Sequence, residues 1–279
     1  MIRRVGLTLA LALALTASLV GQSREVILAT TTSVRDAGLL DALLPPFERA
    51  TGLIVRVIAV GSGQAMELAR RGEVDIAILH EPAGETRLIE EGFGIDRRPL
   101  WVNEFILVGP EDDPAGVRGR DIALAFRLIE GRHRTFVSRG DRSGTHARER
   151  RIWAGLNIEP AGGWYRETGQ GMGATLVIAD QLDAYTLTDD ATWLALRAPR
   201  QLVALVEGDS VLANPYHVVR VNPARFPRLN ADGAHRLADY LVSDETRALV
   251  ASYGMERFGR PLFRLMPPTS APASLPPPD

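Results

Sequence analysis

Two stretches of the chain concentrate groups able to surround an anion. Thr30-Thr31-Thr32-Ser33 follows the apolar run Val26-Ile27-Leu28-Ala29, and Gly61-Ser62-Gly63 follows Ile54 to Val60. Both turns sit between a strand-like and a helix-like segment. Helix N-termini expose unpaired N–H groups carrying partial positive charge, so they favour anions. Glycine lets the backbone approach a ligand closely, and a hydroxyl donates a hydrogen bond while staying neutral. A third turn in this half, His80-Glu81-Pro82, follows Ile76 to Leu79. In an open parallel sheet, such turns lie at the carboxyl ends of strands, where ligands bind. The second half repeats the chemistry in Ser138-Arg139-Gly140-Asp141-Arg142-Ser143-Gly144-Thr145-His146, with Arg139 as a forked cation suited to oxyanions. An anion held between two such loops from two lobes would favour a closed state. Each motif has a local alternative. Thr30 to Ser33 and Ser62 also suit helix caps and turns, and Arg139 also suits a salt bridge to Asp141 or a surface position.

The elements that must position these turns follow from periodicity. Val26-Ile27-Leu28, Ile54 to Val60 and Asp75 to Leu79 read as strands. Asp36 to Ala50 reads as a helix stopped by Gly52, with Pro45-Pro46 expected to kink it or start a new turn. Gln64 to Arg71 reads as a helix stopped by Gly72. This βαβαβ order predicts a parallel sheet covered by helices. Phe105 to Val108 is a further strand, and the first crossing between lobes is expected around it. In the second half, Thr135 to Val137, Ala184 to Leu187 and Val203 to Val206 read as strands. Ser143 to Gly155, Gly173 to Gln181 and Asp189 to Leu196 read as helices. His217 to Val221 is extended, and Ala231 to Ser243 and Asp244 to Tyr253 are expected to return to the first lobe.

Composition narrows the chemistry. The chain has no cysteine, which excludes disulfides, thiol catalysis and cysteine-ligated metals. Arg3 and Arg4 precede a short apolar run from Val5, a pattern predicting a Sec signal peptide over residues 1–23 with no lipid anchor. Removing those two arginines leaves 30 of the 32 basic side chains against 34 acidic ones, a net charge of −4 that disfavours nucleic-acid binding. The Pro/Ser/Ala-rich end, 267–279, is expected to be a disordered tail. An enzyme is disfavoured. No G-x-S-x-G elbow, H-E-x-x-H or Walker A motif is present, and Gly169 to Gly173 lacks the preceding apolar strand a dinucleotide loop needs. His80, His146 and His217 are too scattered to argue a metal site.

Six segments, Ala29 to Ser33, Val57 to Gln64, Asn103 to Pro114, Phe136 to His146, Glu167 to Thr175 and Ala184 to Asp189, resemble in order those of the tungstate-binding proteins of bacterial tungstate ABC importers. The resemblance implies a type II periplasmic-binding-protein fold, two α/β lobes joined by a two-strand hinge with the ligand in the cleft. It implies lobe I over 24–105 and 214–266, lobe II over 106–213, and a periplasmic monomer with no cofactor. It also implies tungstate, with molybdate as a second ligand, and a permease and its ATPase as partners. By matching position the pocket draws on Thr30, Ser33, Ser62, Arg139, Ser143 and Thr145, with Thr31 and Gly144 as backbone donors. The anion is bound as an oxyanion and not through metal–ligand bonds. One position departs. A basic residue is expected after Asp189, but the chain has Asp190, read as a helix cap. The rival reading is a binding protein for another tetrahedral oxyanion: molybdate, sulfate or phosphate. A sensor or structural role is a third.

Overall fold

A computed structural model of the protein describes residues 24–196 and 201–266; the expected signal segment and tail lie outside them. The elements run β1 (Glu25–Thr31), α1 (Thr32–Asp36), α2 (Leu39–Thr51), β2 (Ile54–Val60), α3 (Ser62–Arg70), β3 (Ile76–Leu79), α4 (Pro82–Glu90) and β4 (Gly94–Pro110). Then come α5 (Ile122–Gly131), β5 (Phe136–Ser138), α6 (Gly144–Gly155), β6 (Tyr165–Glu167), α7 (Met172–Gln181), β7 (Thr186–Asp189), α8 (Asp190–Ala195) and β8 (Leu202–Val206). The chain closes with β9 (Ala213–Val221), α9 (Ala231–Leu241), α10 (Asp244–Ser252), α11 (Met255–Phe258) and β10 (Arg264–Leu265).

β1 pairs in parallel with β2 and β3, as the βαβαβ reading requires. The sheet is mixed beyond them, because β9 lies antiparallel between β3 and β4. Successive residues of β3 face opposite sides. Ile76 and Ile78 join a core with α2 and α9, whereas Ala77 and Leu79 join one with α3 and α4.

The second lobe grows from the far half of β4. The near half of that strand pairs with β9 as far as Glu104↔Ala213, and from Phe105 onward it pairs with β7 and β8. Two further cores, one around Phe126 and Trp153 and one around Met172 and Leu176, surround this half. The fold is thus two α/β lobes on one curled sheet. β4 is continuous between them, and β9 runs beside it at the crossing. α8 is at the seam: Ala191 packs into the first lobe's core although β7, just before it, pairs with the far half of β4.

Several boundaries differ from the sequence expectation. The helix expected over Asp36 to Ala50 is two helices, broken at Gly38, which adopts a left-handed φ of 75°. The prolines do not break it, since Pro45 and Pro46 both lie inside α2. Gly52 and Gly72 are stops as expected, with φ of 68° and 64°. Asp190 is not the cap of α8. Asp189 holds that position and accepts from the Thr192 N–H at 2.8 Å. Asp190 instead accepts from the Glu104 N–H at 3.3 Å and lies 3.6 Å from Arg260. Burial, with the adjacent Asp189 charge, pushes its carboxyl up to about 7.

Candidate functional site

The first turn is not a helix cap. Thr31 occupies the N-cap position of α1 but makes no side-chain cap hydrogen bond. Its hydroxyl pairs instead with that of Ser33 at 3.0 Å. Thr30 ends the sheet fully buried, and its Oγ1 has no hydrogen-bond partner in the protein. Ser62 repeats the pattern. The cap of α3 is Gly61, so Ser62 is the first helical residue, and its buried hydroxyl has no partner either.

The loop from Ser138 to Thr145 is tied internally. Gly140 (φ 62°) and Arg142 (φ 57°) are left-handed and fold it back on itself. Arg139 donates from Nη2 to Asp141 Oδ2 at 2.5 Å, so the expected salt bridge exists, but the arginine is only 3% exposed and is no surface residue. Asp141 Oδ1 accepts from the Ser143 N–H at 3.1 Å, so both carboxylate oxygens are engaged. Ser143 caps α6, accepting from the His146 N–H at 3.2 Å. Its backbone carbonyl and N–H are also used locally, which leaves the hydroxyl proton as its free donor. Thr145 is buried with an unpartnered Oγ1, as is Arg139 Nε.

Three segments meet here. A Cβ added to Gly61 would lie 3.5 Å from Ser143 Cα, and one on Gly63 would lie 3.1 Å from the Arg142 carbonyl oxygen. Arg139 Nη2 reaches Thr32 Oγ1 at 3.4 Å. The carboxyl ends of β1 and β2 are therefore closed against the 139–145 loop. Three hydroxyls and one guanidinium nitrogen, drawn from both lobes, are buried without protein partners. Leaving one such group unpaired costs about 1–3 kcal/mol, so four together at one seam are a candidate donor set for a ligand. The Arg139–Asp141 pair nearly cancels in charge. For an anion at this seam, oriented dipoles would then carry much of the stabilisation.

Sequence reasoning missed Thr32, which the Arg139 contact brings to the loop, and Asp189 and Thr192. Those last two keep Oδ2 and Oγ1 buried and unpartnered at the start of α8, which packs on α1. The only sequence signal for them was the cap spacing Asp189 to Thr192. The histidines do not assemble. His80 bonds to Asn214 at 2.7 Å and His217 lies 3.0 Å from Glu85, while His146 accepts from the Arg142 N–H at 3.1 Å. Among the described residues no group of three or more His, Cys, Asp or Glu is placed to hold a metal ion.

Behind the loop, Glu149 on α6 is 2% exposed and accepts from Tyr165 Oη at 2.7 Å and Trp153 Nε1 at 3.3 Å. Burial pushes its carboxyl from 4.5 up to about 7. The folded state then holds this proton more tightly than the unfolded chain. Its stabilising contribution is complete below about pH 4.5 and declines as pH rises to about 7, by at most about 1.4 kcal/mol per pH unit. Glu149→Gln keeps an acceptor for both donors and should flatten that decline. Urea unfolding at a series of pH values checks it; parallel slopes for the two proteins would contradict it.

Residues 16–245 match the PBP superfamily domain. The tungstate-binding protein TupA of Peptoclostridium acidaminophilum is 41% identical over 267 residues, covering 91% of this chain and 93% of its own. The structure of the tungstate ABC transporter protein from Geobacter sulfurreducens superposes with a TM-score of 0.75 at 42% identity, over 82% of this chain and 98% of that one. TupA from Desulfovibrio alaskensis G20 gives 0.72 at 37% identity, over 88% and 99%. With relatives this similar over nearly their whole length, and a two-lobed fold whose lobes meet at buried, unpaired donors, the chain belongs to the tungstate-binding proteins of ABC transporters, within the PBP superfamily.

Proposed function

We propose that the protein captures tungstate, with molybdate as a second ligand, between its lobes and delivers it to the permease and ATPase of an ABC importer. The observation that carries this reading is the set of buried donors without partners: Thr30 Oγ1, Ser62 Oγ, Thr145 Oγ1 and Arg139 Nε. Ser33 and Ser143 hydroxyls and the Thr31 and Gly144 backbone complete the set, with the lobes divided as 24–105 with 214–266 and 106–213. The ion is held by hydrogen bonds, as an oxyanion. Tungstate and molybdate carry no proton near neutral pH, whereas phosphate does and benefits from a carboxylate acceptor. Both oxygens of Asp141 already accept hydrogen bonds, which favours the proton-free anions. Asp189 keeps one buried oxygen without a partner, so phosphate belongs among the competitors.

Export to the periplasm by the 1–23 segment, loss of that segment and a monomeric state fit delivery to a membrane importer. No helix among the described residues is long and apolar enough to cross a membrane. Calorimetric titration of the mature protein with tungstate, molybdate, sulfate and phosphate tests the ligand. The expected result is one tungstate per chain, displaced by molybdate and not by sulfate or phosphate. A ligand at about a thousand times its Kd adds about 4 kcal/mol to unfolding stability. The absence of both heat and added stability with tungstate would refute the assignment.

A further inference from the structure

The turn His80-Glu81 lies at the carboxyl end of β3, beside the anion-binding turns, yet contributes no unpaired donor to them. Its side chains bridge its own lobe and the other one. The His80 ring stacks on Tyr216 of β9 at 4.8 Å, and its opposite surroundings are Gly144 of α6. A Cβ on Gly144 would lie 2.4 Å from His80 Cε1 and 2.6 Å from Nε2. Gly144 has no left-handed φ, so its backbone would accept any residue. Close approach of the His80 ring is what requires glycine.

The ring itself is fixed through the crossing strands. Asn214 Nδ2 donates to Asn103 Oδ1 at 2.7 Å and to Tyr216 Oη at 3.1 Å, which orients its amide with Oδ1 towards His80. His80 Nδ1 therefore carries the proton and donates at 2.7 Å. Burial lowers the basicity of the ring and keeps it neutral. Asn103 Nδ2 in turn donates to Asp189 Oδ1 at 3.0 Å, so the chain of donors ends on the cap of α8. Glu81 is held as firmly. Its N–H donates to Glu85 Oε1 at 2.8 Å, and its Oε2 accepts from the Gly84 N–H at 2.6 Å. Its remaining oxygen accepts from Arg151 of α6. Arg148, between Gly144 and Arg151 on the same helix face, donates to the carbonyls of Val211 and Ala213 at 2.7 and 3.0 Å.

We propose that His80 and Glu81 are positioning residues for ligand capture: packed against Gly144 and paired with Arg151 of α6, their side chains form an interlobe latch that stabilises the closed state without themselves touching the anion. The proposal rests on the reading of the seam as the oxyanion site. It gives closure a contribution independent of the ligand, so the latch sets affinity and release rate by setting how much of the free protein is closed. A protein whose closed state is populated before binding binds more tightly in proportion.

The test uses the absence of cysteine from the chain. Glu67→Cys on α3 and Arg127→Cys on α5, both exposed, carry nitroxide labels whose separation reports closure. Distances are measured without ligand and with tungstate in the background protein, Gly144→Ala, His80→Ala, their combination, and Glu81→Gln. Gly144→Ala should shift the ligand-free population to the longer distance and weaken tungstate binding at least about tenfold, the usual scale of one added methyl in a packed contact. In the His80→Ala background the same substitution should change affinity less than about threefold, because the clash is gone. Glu81→Gln, which leaves the ring contact intact, should raise the ligand-free open fraction with melting temperature little changed. Equal cost of Gly144→Ala in both backgrounds would overturn the latch, since the loss would then come from the place of Gly144 at the anion and not from its contact with the His80 ring. An unchanged distance distribution in Gly144→Ala and Glu81→Gln would overturn it too. If the distances couple while the background protein takes up no tungstate, the latch stands and the ligand assignment falls.

Discussion

Arg139→Ala should bind tungstate at least about thirtyfold more weakly than the wild type. The guanidinium is 3% exposed and makes two contacts with named partners, Asp141 Oδ2 at 2.5 Å and Thr32 Oγ1 at 3.4 Å, while its Nε has none. Truncation removes the one buried cation of the loop and also exposes an acceptor. Asp141 would keep its Ser143 contact but lose the positive charge beside Oδ2, leaving a carboxylate next to the place an anion must occupy. Removing one partner of a buried charged hydrogen bond costs about 2–5 kcal/mol, and each 1.4 kcal/mol is a factor of about ten. The two contributions separate in a cycle. Arg139→Ala with Asp141→Asn should recover part of the affinity, because the repulsive charge is gone while the missing fork is not restored. Arg139→Lys should fall between, keeping charge without two-point geometry. Calorimetric titration reads the affinities, and thermal unfolding of the ligand-free proteins reports whether the fold survives. An affinity for Arg139→Ala within about threefold of wild type would remove the arginine from the donor set.

How much of this arrangement the sequence disclosed depends on how local each cause is. β2 is read residue for residue as Ile54–Val60, because a β-branched run between Gly52 and Gly61 needs only its own composition. The β4 strand shows the limit. Only Phe105 to Val108 reads as a strand, yet it spans Gly94–Pro110. Asp96, Arg97, Arg98 and Pro99 interrupt its apolar pattern, and the ladder with β9 shifts register at the same place. What keeps that stretch extended is pairing with a strand more than a hundred residues away. The α5 helix was readable and was missed. Asp121 caps it by accepting from the Leu124 N–H, and Ile122, Ala125, Phe126 and Ile129 form its buried stripe. At the site, residue types were legible and partnership was not. Thr31, Ser62 and Ser143 look alike in sequence, but only Ser143 caps a helix. Whether a hydroxyl is free depends on who stands opposite, and the Arg139–Thr32 contact spans 107 positions.

That distinction between used and unused hydroxyls has a measurable consequence. Thr145→Val and Thr30→Val should each make the ligand-free protein more stable and the ligand-bound protein weaker. Valine replaces a hydroxyl by a methyl of nearly the same size, and both positions are buried with Oγ1 unpartnered. In the ligand-free fold the hydroxyl has given up water for nothing, so its removal should stabilise by about 1 kcal/mol. The helix and strand contribute little to the difference, since the two residues have similar propensities in both. In the proposed complex the same hydroxyl would donate to a charged oxygen, an interaction of about 1.5–3 kcal/mol, so affinity should fall by a factor of about ten or more per site. Ser143→Ala is the control with the opposite first sign. It loses the cap on α6 and should destabilise the ligand-free protein by about 1 kcal/mol. Urea unfolding with and without tungstate reads both quantities on one sample. A protein that had placed these hydroxyls for its own stability would show Thr145→Val destabilised in both states, and that result would return Thr145 to ordinary packing. Stability given up at Thr30 and Thr145 in the free protein and recovered with the anion bound is what separates a binding turn from a helix cap, and these substitutions measure it at individual atoms.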